Sequence, residues 1–377
     1  MKQIKVEDLV AGQKFDKPVY VDGDTLLVPE NVVIREKDIE RLKSWNIPYV
    51  ETDGKTVTAK DEKKREEKAI SGILGGNADQ GAQKLYVQSV QKLSAVFDDI
   101  RQGRKVENNA IDEIVTKLVN AVRTKSEDII SLILQNHEEG DPMARSAVNC
   151  LILSVVVAQY LNFPNHHILN IALAALLHDI GMMRISENIV EKNGELSSEE
   201  IQQIQTHTLY TYRIITRELK YSDEIGKIAL LHHERWDGKG YPKKLKEKQI
   251  PVMSRIISVV DAFEAMVRDR PYRNSMIGYT AMRQLLNDNS RRFDAEVLKI
   301  FIKAMGIYPV GSIVILNDGS IGRVEKIHSD APLRPIIRLV VNARGKKLEN
   351  DQAKTLDLLT EKEFFITRAV NPRDFGG

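Results

Sequence analysis

The chain has 377 residues, with 55 lysines and arginines against 53 aspartates and glutamates. Such a balance creates no general field to gather a nucleic-acid polymer or an anionic membrane, so any recognition of phosphate has to be local. A single cysteine, Cys150, excludes an internal disulfide framework and fits a reducing compartment.

The opening "MKQIKVEDLVAGQKF" lacks the basic and then apolar pattern of a signal peptide. Its first fifty residues predict a small α+β module: a hairpin at Asp22-Gly23 inside "KPVYVDGDTLLVP", a helix with Ile39, Leu42 and Trp45 on one face, and a strand at "PYVET". "KDEKKREEK" and "SGILGGNADQG" follow as a charged helix tail and a glycine-rich linker. This reading divides the chain into an N-terminal module (1–70), a linker (71–83), a helical connecting segment (84–135), a main helical domain (136–308) and a β module (309–377).

From Lys84 the apolar period becomes helical. Tyr86, Val90, Leu93, Phe97 and Ile100 form one stripe, and Ile111, Ile114, Val115, Leu118, Val119 and Val122 form another. Within "NCLILSVVV", Cys150 reads as a small buried apolar residue. The surrounding "CLILSVVVAQYL" is too short and too interrupted to span a bilayer, and a soluble cytoplasmic protein is expected. After Tyr308-Pro309 the pattern turns β-like, with a hairpin at Asp318-Gly319 and a second in "PIIRLVVNARGKKL". The fold class expected is mainly α, an all-α bundle flanked by a small α+β module and a small β module.

Histidines and aspartates recur in four apolar helical settings. "ALAALLHDIG" carries His178 and Asp179, "EEIQQIQTHTLY" carries His207, "IALLHHERWDG" carries His232 and His233, and "SRIISVVDAFEAM" carries Asp261. Ionisable groups in such runs are costly unless paired or bound to metal. Imidazoles and carboxylates with no cysteine in the set favour iron or manganese, with zinc and nickel as further options. Six ligands are too many for one metal that keeps an open position, whereas two metals sharing a carboxylate would use them.

These motifs, together with "HHERWDGKGYP" and "RDRPYR", resemble the HD-GYP family between about Asp141 and Gly306. That family is a branch of the HD phosphohydrolases whose characterised members hydrolyse the bacterial second messenger cyclic di-GMP. The resemblance implies two divalent metals held by His178, Asp179, His207, His232, His233 and Asp261, with Asp179 bridging. It implies hydrolysis to pGpG, and onward to GMP, by hydroxide held between the cations, with His178 and Asp179 at the catalytic centre. It also implies that Tyr241 of the Gly-Tyr-Pro turn borders the substrate groove, that Arg270 and Arg273 contact substrate, and that the turn docks a diguanylate cyclase (GGDEF) domain.

Three departures temper that reading. Met182 stands where the family usually has a lysine near the scissile phosphate. Pro142 and Ser146 stand where some members carry ligands for a third metal, so two metals are expected. Glu264 replaces a frequent aspartate. Two alternatives follow: a catalytically weak module that binds the nucleotide or docks a cyclase, and a phosphohydrolase acting on another cyclic dinucleotide or nucleotide. His166 and His167 read as residues at a helix start, and His137 and His328 receive no role. The N-terminal module is left with regulation or the pairing of two chains.

Overall fold

Alternating residues build the N-terminal sheet of the computed structural model, which describes all residues except 24, 31, 58–78, 135–139, 193, 269–276, 289–290, 344, 349–353 and 371–377. Strands β1 (Lys2–Lys5), β2 (Val19–Val21), β3 (Thr25–Val28) and β4 (Tyr49–Thr52) form an antiparallel sheet in the order β1-β4-β2-β3. Helix α1 (Glu36–Ser44) covers it, burying Ile39 and Leu42 beside Phe15, Val19, Ile34 and Val50. Trp45 departs from its expected face. It lies just past the helix end, 65% exposed, with the Arg41 guanidinium over its ring. The charged run and most of the glycine-rich linker lie outside the described residues.

The helical region contains α2 (Gln80–Arg101), α3 (Asn109–Thr124), α4 (Ser126–Leu134), α5 (Pro142–Tyr160) and α6 (Asn165–Leu177). It continues through α7 (Glu187–Val190), α8 (Ser198–Gln205), α9 (His207–Arg213), α10 (Asp223–Leu230), α11 (Val252–Val267), α12 (Gly278–Asn287) and α13 (Ala295–Met305). Both apolar stripes read from the sequence are buried, and they share one core with the later helices. Helix α5 is apolar on nearly every side and runs through the centre, packing on α6 and α11. It is the one described helix long and apolar enough to cross a membrane, and 78% of that stretch is buried in the protein.

Helix starts are fixed by side-chain caps. Asp79, Asp141, Ser222 and Asp294 each accept a backbone N–H from the first turn of α2, α5, α10 and α13. Ser197 and Glu200 form a reciprocal capping box on α8. Each such cap is worth about 1 kcal/mol.

The chain closes with β5 (Ile313–Leu316), β6 (Ile321–Lys326), β7 (Ile336–Val341), β8 (Thr355–Asp357) and β9 (Ile366–Val370), in the antiparallel order β8-β7-β6-β5-β9. The β5–β6 hairpin turns at Asp318-Gly319 as expected, Gly319 taking φ of +85°. The second expected hairpin survives as a tight return in which Val341 bridges to Lys347, while β7 pairs along its length with β6 and β8. Tyr279 of α12 stacks on Tyr308, 4.9 Å between ring centroids, where the helices meet this sheet.

Candidate metal centre

Each histidine of the cluster sits at or near a helix terminus, where backbone carbonyls are left without helical partners. His178 caps the C-terminus of α6, and its Nδ1 lies 2.8 Å from the Ala175 carbonyl oxygen. His207 opens α9 with Nδ1 2.6 Å from the Ile204 carbonyl, and His232 follows α10 with Nδ1 2.6 Å from the Ala229 carbonyl. A carbonyl only accepts, so each Nδ1 carries a proton, and in the neutral ring each Nε2 is left with a lone pair.

Those lone pairs converge. Asp179 Oδ1 lies 3.2 Å from His207 Nε2 and 3.5 Å from His232 Nε2, while its Oδ2 lies 3.4 Å from His178 Nε2. His178 Nε2 is in turn 3.7 Å from Asp261 Oδ1 on α11. The ring of His233 lies 3.8 Å from that of His232 and 5.1 Å from that of His207. All six residues expected at the centre are therefore brought together, from α6, α9, the turn after α10, and α11.

A close approach of backbones makes this possible. A Cβ on Gly181 would overlap the His207 carbonyl oxygen, so only glycine lets the turn after Asp179 lie against the start of α9. Thr211 clamps the contact: its hydroxyl donates to the His178 carbonyl at 3.0 Å and accepts the Gly181 N–H at 3.0 Å.

The Nε2 atoms of His178, His207 and His232 and the Oδ1 of Asp179 are buried without a hydrogen-bond partner. Four acceptors facing one another leave an uncompensated cost of roughly 1–3 kcal/mol apiece, and more for the carboxylate. A cation is the physical complement of such a set, and the residues present fit a divalent metal. The shifts in acidity agree. Burial, aided by the charge of His232, holds His233 well below the usual histidine range, and burial lowers His232 as well. Burial would also lower His178, but the Asp179 and Asp261 carboxylates more than offset it and hold that imidazole high, so a proton on its Nε2 and a cation compete for the same place. The same two carboxylates stay ionised despite burial because the histidines face them.

The ligand atoms fall into two groups. Those of Asp179, His207, His232 and His233 lie within 4.8 Å of one another, and so do those of Cys150, His178 and Asp261. Cys150 is fully buried, as expected, and its sulfur lies in the second group. Its spacing on an apolar helix carried no signal, because only the packing of α5 on α11 brings its sulfur to Asp261.

Next to the centre the "HHERWDGKGYP" loop folds back on itself. Gly238 takes φ of +76°, and a Cβ on Gly240 would overlap backbone atoms of His233 and Arg235. Tyr241 N–H donates to the His233 carbonyl at 3.3 Å, and its ring lies tilted over the His233 ring, 4.8 Å between centroids. Glu234, which sequence reasoning passed over, is buried and closes the loop: its carboxylate accepts the N–H groups of Lys243 at 2.6 Å and Leu245 at 2.9 Å. Trp236 and Asp237 donate their N–H groups to the Arg292 and Arg291 carbonyls, tying the loop to the start of α13. Arg270 and Arg273 lie outside the described residues.

Met182 is half-buried against the helical core and brings no charge. Glu264, one turn beyond Asp261, is turned away from the centre onto α5. It accepts Ser146 Oγ at 2.5 Å and Asn149 Nδ2 at 3.3 Å, Arg268 lies 3.8 Å away, and Tyr86 of α2 donates to Asn149 at 2.7 Å. His166 and His167 occupy the first turn of α6. His328 pairs with Asp357 at 2.9 Å, a partner not visible in sequence, and His137 lies outside the described residues.

Known families and proteins are similar to parts of this chain. The family described as HD domain matches residues 128–297, and the KOW domain associated with HD domain matches residues 313–377. A cyclic di-GMP phosphodiesterase of Pseudomonas aeruginosa is 32% identical over 67% of this chain, which spans 60% of that relative's length. A cyclic di-GMP phosphodiesterase of Borreliella burgdorferi is 26% identical over 94% of this chain and 92% of its own. Among solved structures, an HDG"Y"P protein from Bdellovibrio bacteriovorus aligns over 80% of this chain and 97% of its own, at 18% identity and a TM-score of 0.49. Residues 128–297 thus match the HD domain family, and with His178-Asp179 at the centre and Gly240-Tyr241-Pro242 in the loop beside it the chain resembles the HD-GYP branch of that family.

Proposed function

We propose that the protein hydrolyses cyclic di-GMP to linear pGpG, and onward to GMP, at two divalent metals held by His178, Asp179, His207, His232, His233 and Asp261. The observation that carries this reading is the set of four buried ring-nitrogen and carboxylate atoms, facing one another, without a hydrogen-bond partner. The relatives named as cyclic di-GMP phosphodiesterases support the choice of substrate. Iron or manganese suits the mixture of imidazole and carboxylate. When bound, such metals stabilise charge on phosphodiester oxygens and make water a nucleophile near neutral pH.

The chain's own residues do the rest. Asp179 faces both halves of the cluster with one oxygen each. The three Nδ1–H···O=C bonds fix ring orientation, so no side chain has to reorganise to receive a cation. Asp179 and Asp261 keep 30% and 20% of their side chains exposed while His178 keeps 1%, so the carboxylate edge forms the entrance. Tyr241 beside His233 offers an aromatic surface to a purine base, and Arg270 and Arg273 are proposed to contact substrate.

The test is metal content and cyclic di-GMP turnover measured on one oxygen-protected preparation, with products separated by chromatography. About two metals per chain and formation of pGpG are expected. A protein that retains no metal when iron or manganese is supplied, or that leaves the nucleotide intact, overturns the reading.

A further inference from the structure

We propose that Cys150 is a sulfur ligand of this centre, completing the metal position built by His178 and Asp261. The proposal rests on the dinuclear reading above and adds a residue to it. The two positions are unequally furnished. Three imidazoles and the Asp179 carboxylate surround the first, whereas the second has His178, Asp261 and the far oxygen of Asp179. Glu264 cannot complete it, since both its oxygens are turned to Ser146 and Asn149.

Helix geometry brings the thiol to this place. Ser146 and Asn149 face α11, and Cys150, one turn after Ser146, lies on the same side. Its sulfur, the His178 nitrogen and the Asp261 carboxylate lie within 4.8 Å of one another. Atoms bound tetrahedrally to one ion at roughly 2.0–2.3 Å sit about 3.3–3.6 Å apart, so side-chain movements of up to about an ångström close the set. The second sign of a ligand is His178 Nε2, which is 1% exposed, without a hydrogen-bond partner and part of the same group. Binding replaces the S–H bond by an S–metal bond and releases the proton to solvent. A thiolate there favours zinc, cobalt or iron over manganese.

The full chain, freed of metal and reloaded anaerobically with cobalt(II), gives the test. Cys150 is the sole cysteine, so a near-ultraviolet sulfur-to-cobalt charge-transfer band has one possible protein thiolate as its source. That band is expected in the native protein and absent in Cys150→Ala and Cys150→Ser. Cobalt is expected to be held about 10- to 100-fold more weakly at one of the two positions of the variants. Bound cobalt with visible ligand-field bands but no charge-transfer band in the native protein overturns the proposal and leaves the metal reading standing. No cobalt retained overturns both. The native spectrum decides the matter even if neither variant folds.

Discussion

Asp261 and Glu264 lie one turn apart on α11, the first partly exposed and the second buried, and their surroundings differ in kind. Around Glu264 every polar group meets its opposite: a serine hydroxyl and an asparagine amide donate to the carboxylate, and Tyr86 donates to the asparagine. Around Asp179, buried ring nitrogens and a carboxylate oxygen face one another without a hydrogen-bond partner. Burial of polar atoms is common to both regions and marks neither as a site. The mismatch of donors and acceptors is what separates a place built to receive a cation from a network that pins three helices together.

The sharpest way to break this comparison is Asp179→Ala, which removes the oxygens facing both halves of the cluster. Metal retention and turnover should both disappear, and unchanged turnover would end the proposed centre. Met182→Lys works from the other side by placing a cation where the HD-GYP resemblance implies a lysine. A gain of up to about a hundredfold in kcat is expected, the scale of one well-placed electrostatic contact. No gain would mean another group already supplies that charge.

Glu264→Ala tests the satisfied network. Two buried donors lose their acceptor, so stability should fall by roughly 2–3 kcal/mol in a denaturant titration while metal content holds. A metal lost along with the carboxylate would erase the distinction between the two regions. The smallest effect belongs to Glu234→Gln, which keeps one acceptor oxygen and turns an amide donor toward a backbone N–H. KM should rise about tenfold with kcat and metal content nearly unchanged, and Trp236 fluorescence in a Trp45→Phe background should report a loosened loop. Equal losses of kcat and metal would make Glu234 part of the centre itself.

Much of this was legible in the chain alone. Helical stripes such as Tyr86 to Ile100 depend on a period set by local backbone geometry, and they fold as read. The six histidines and aspartates stood out because each carries ionisable chemistry inside an apolar run, a conflict visible without any partner. Trp45 was misread because the helix ends one residue before it, and helix ends are set by caps that periodicity does not record. Cys150 was read as a small buried apolar residue, which it is, and Glu234 was passed over, because a thiol among valines and a glutamate in a polar loop conflict with nothing nearby.

Sequence by itself determined which residue types could hold a metal and which segments would be helical, since both follow from side-chain chemistry and short-range period. Tertiary structure decided which oxygen of Asp179 faces which histidine, that Glu264 turns to Ser146 while Asp261 turns to His178, and that the sulfur of a cysteine from α5 lies within 4.8 Å of that pair. Those outcomes depend on how distant helices cross, and the crossing is fixed by packing of the whole apolar core, with no local signature in any one segment.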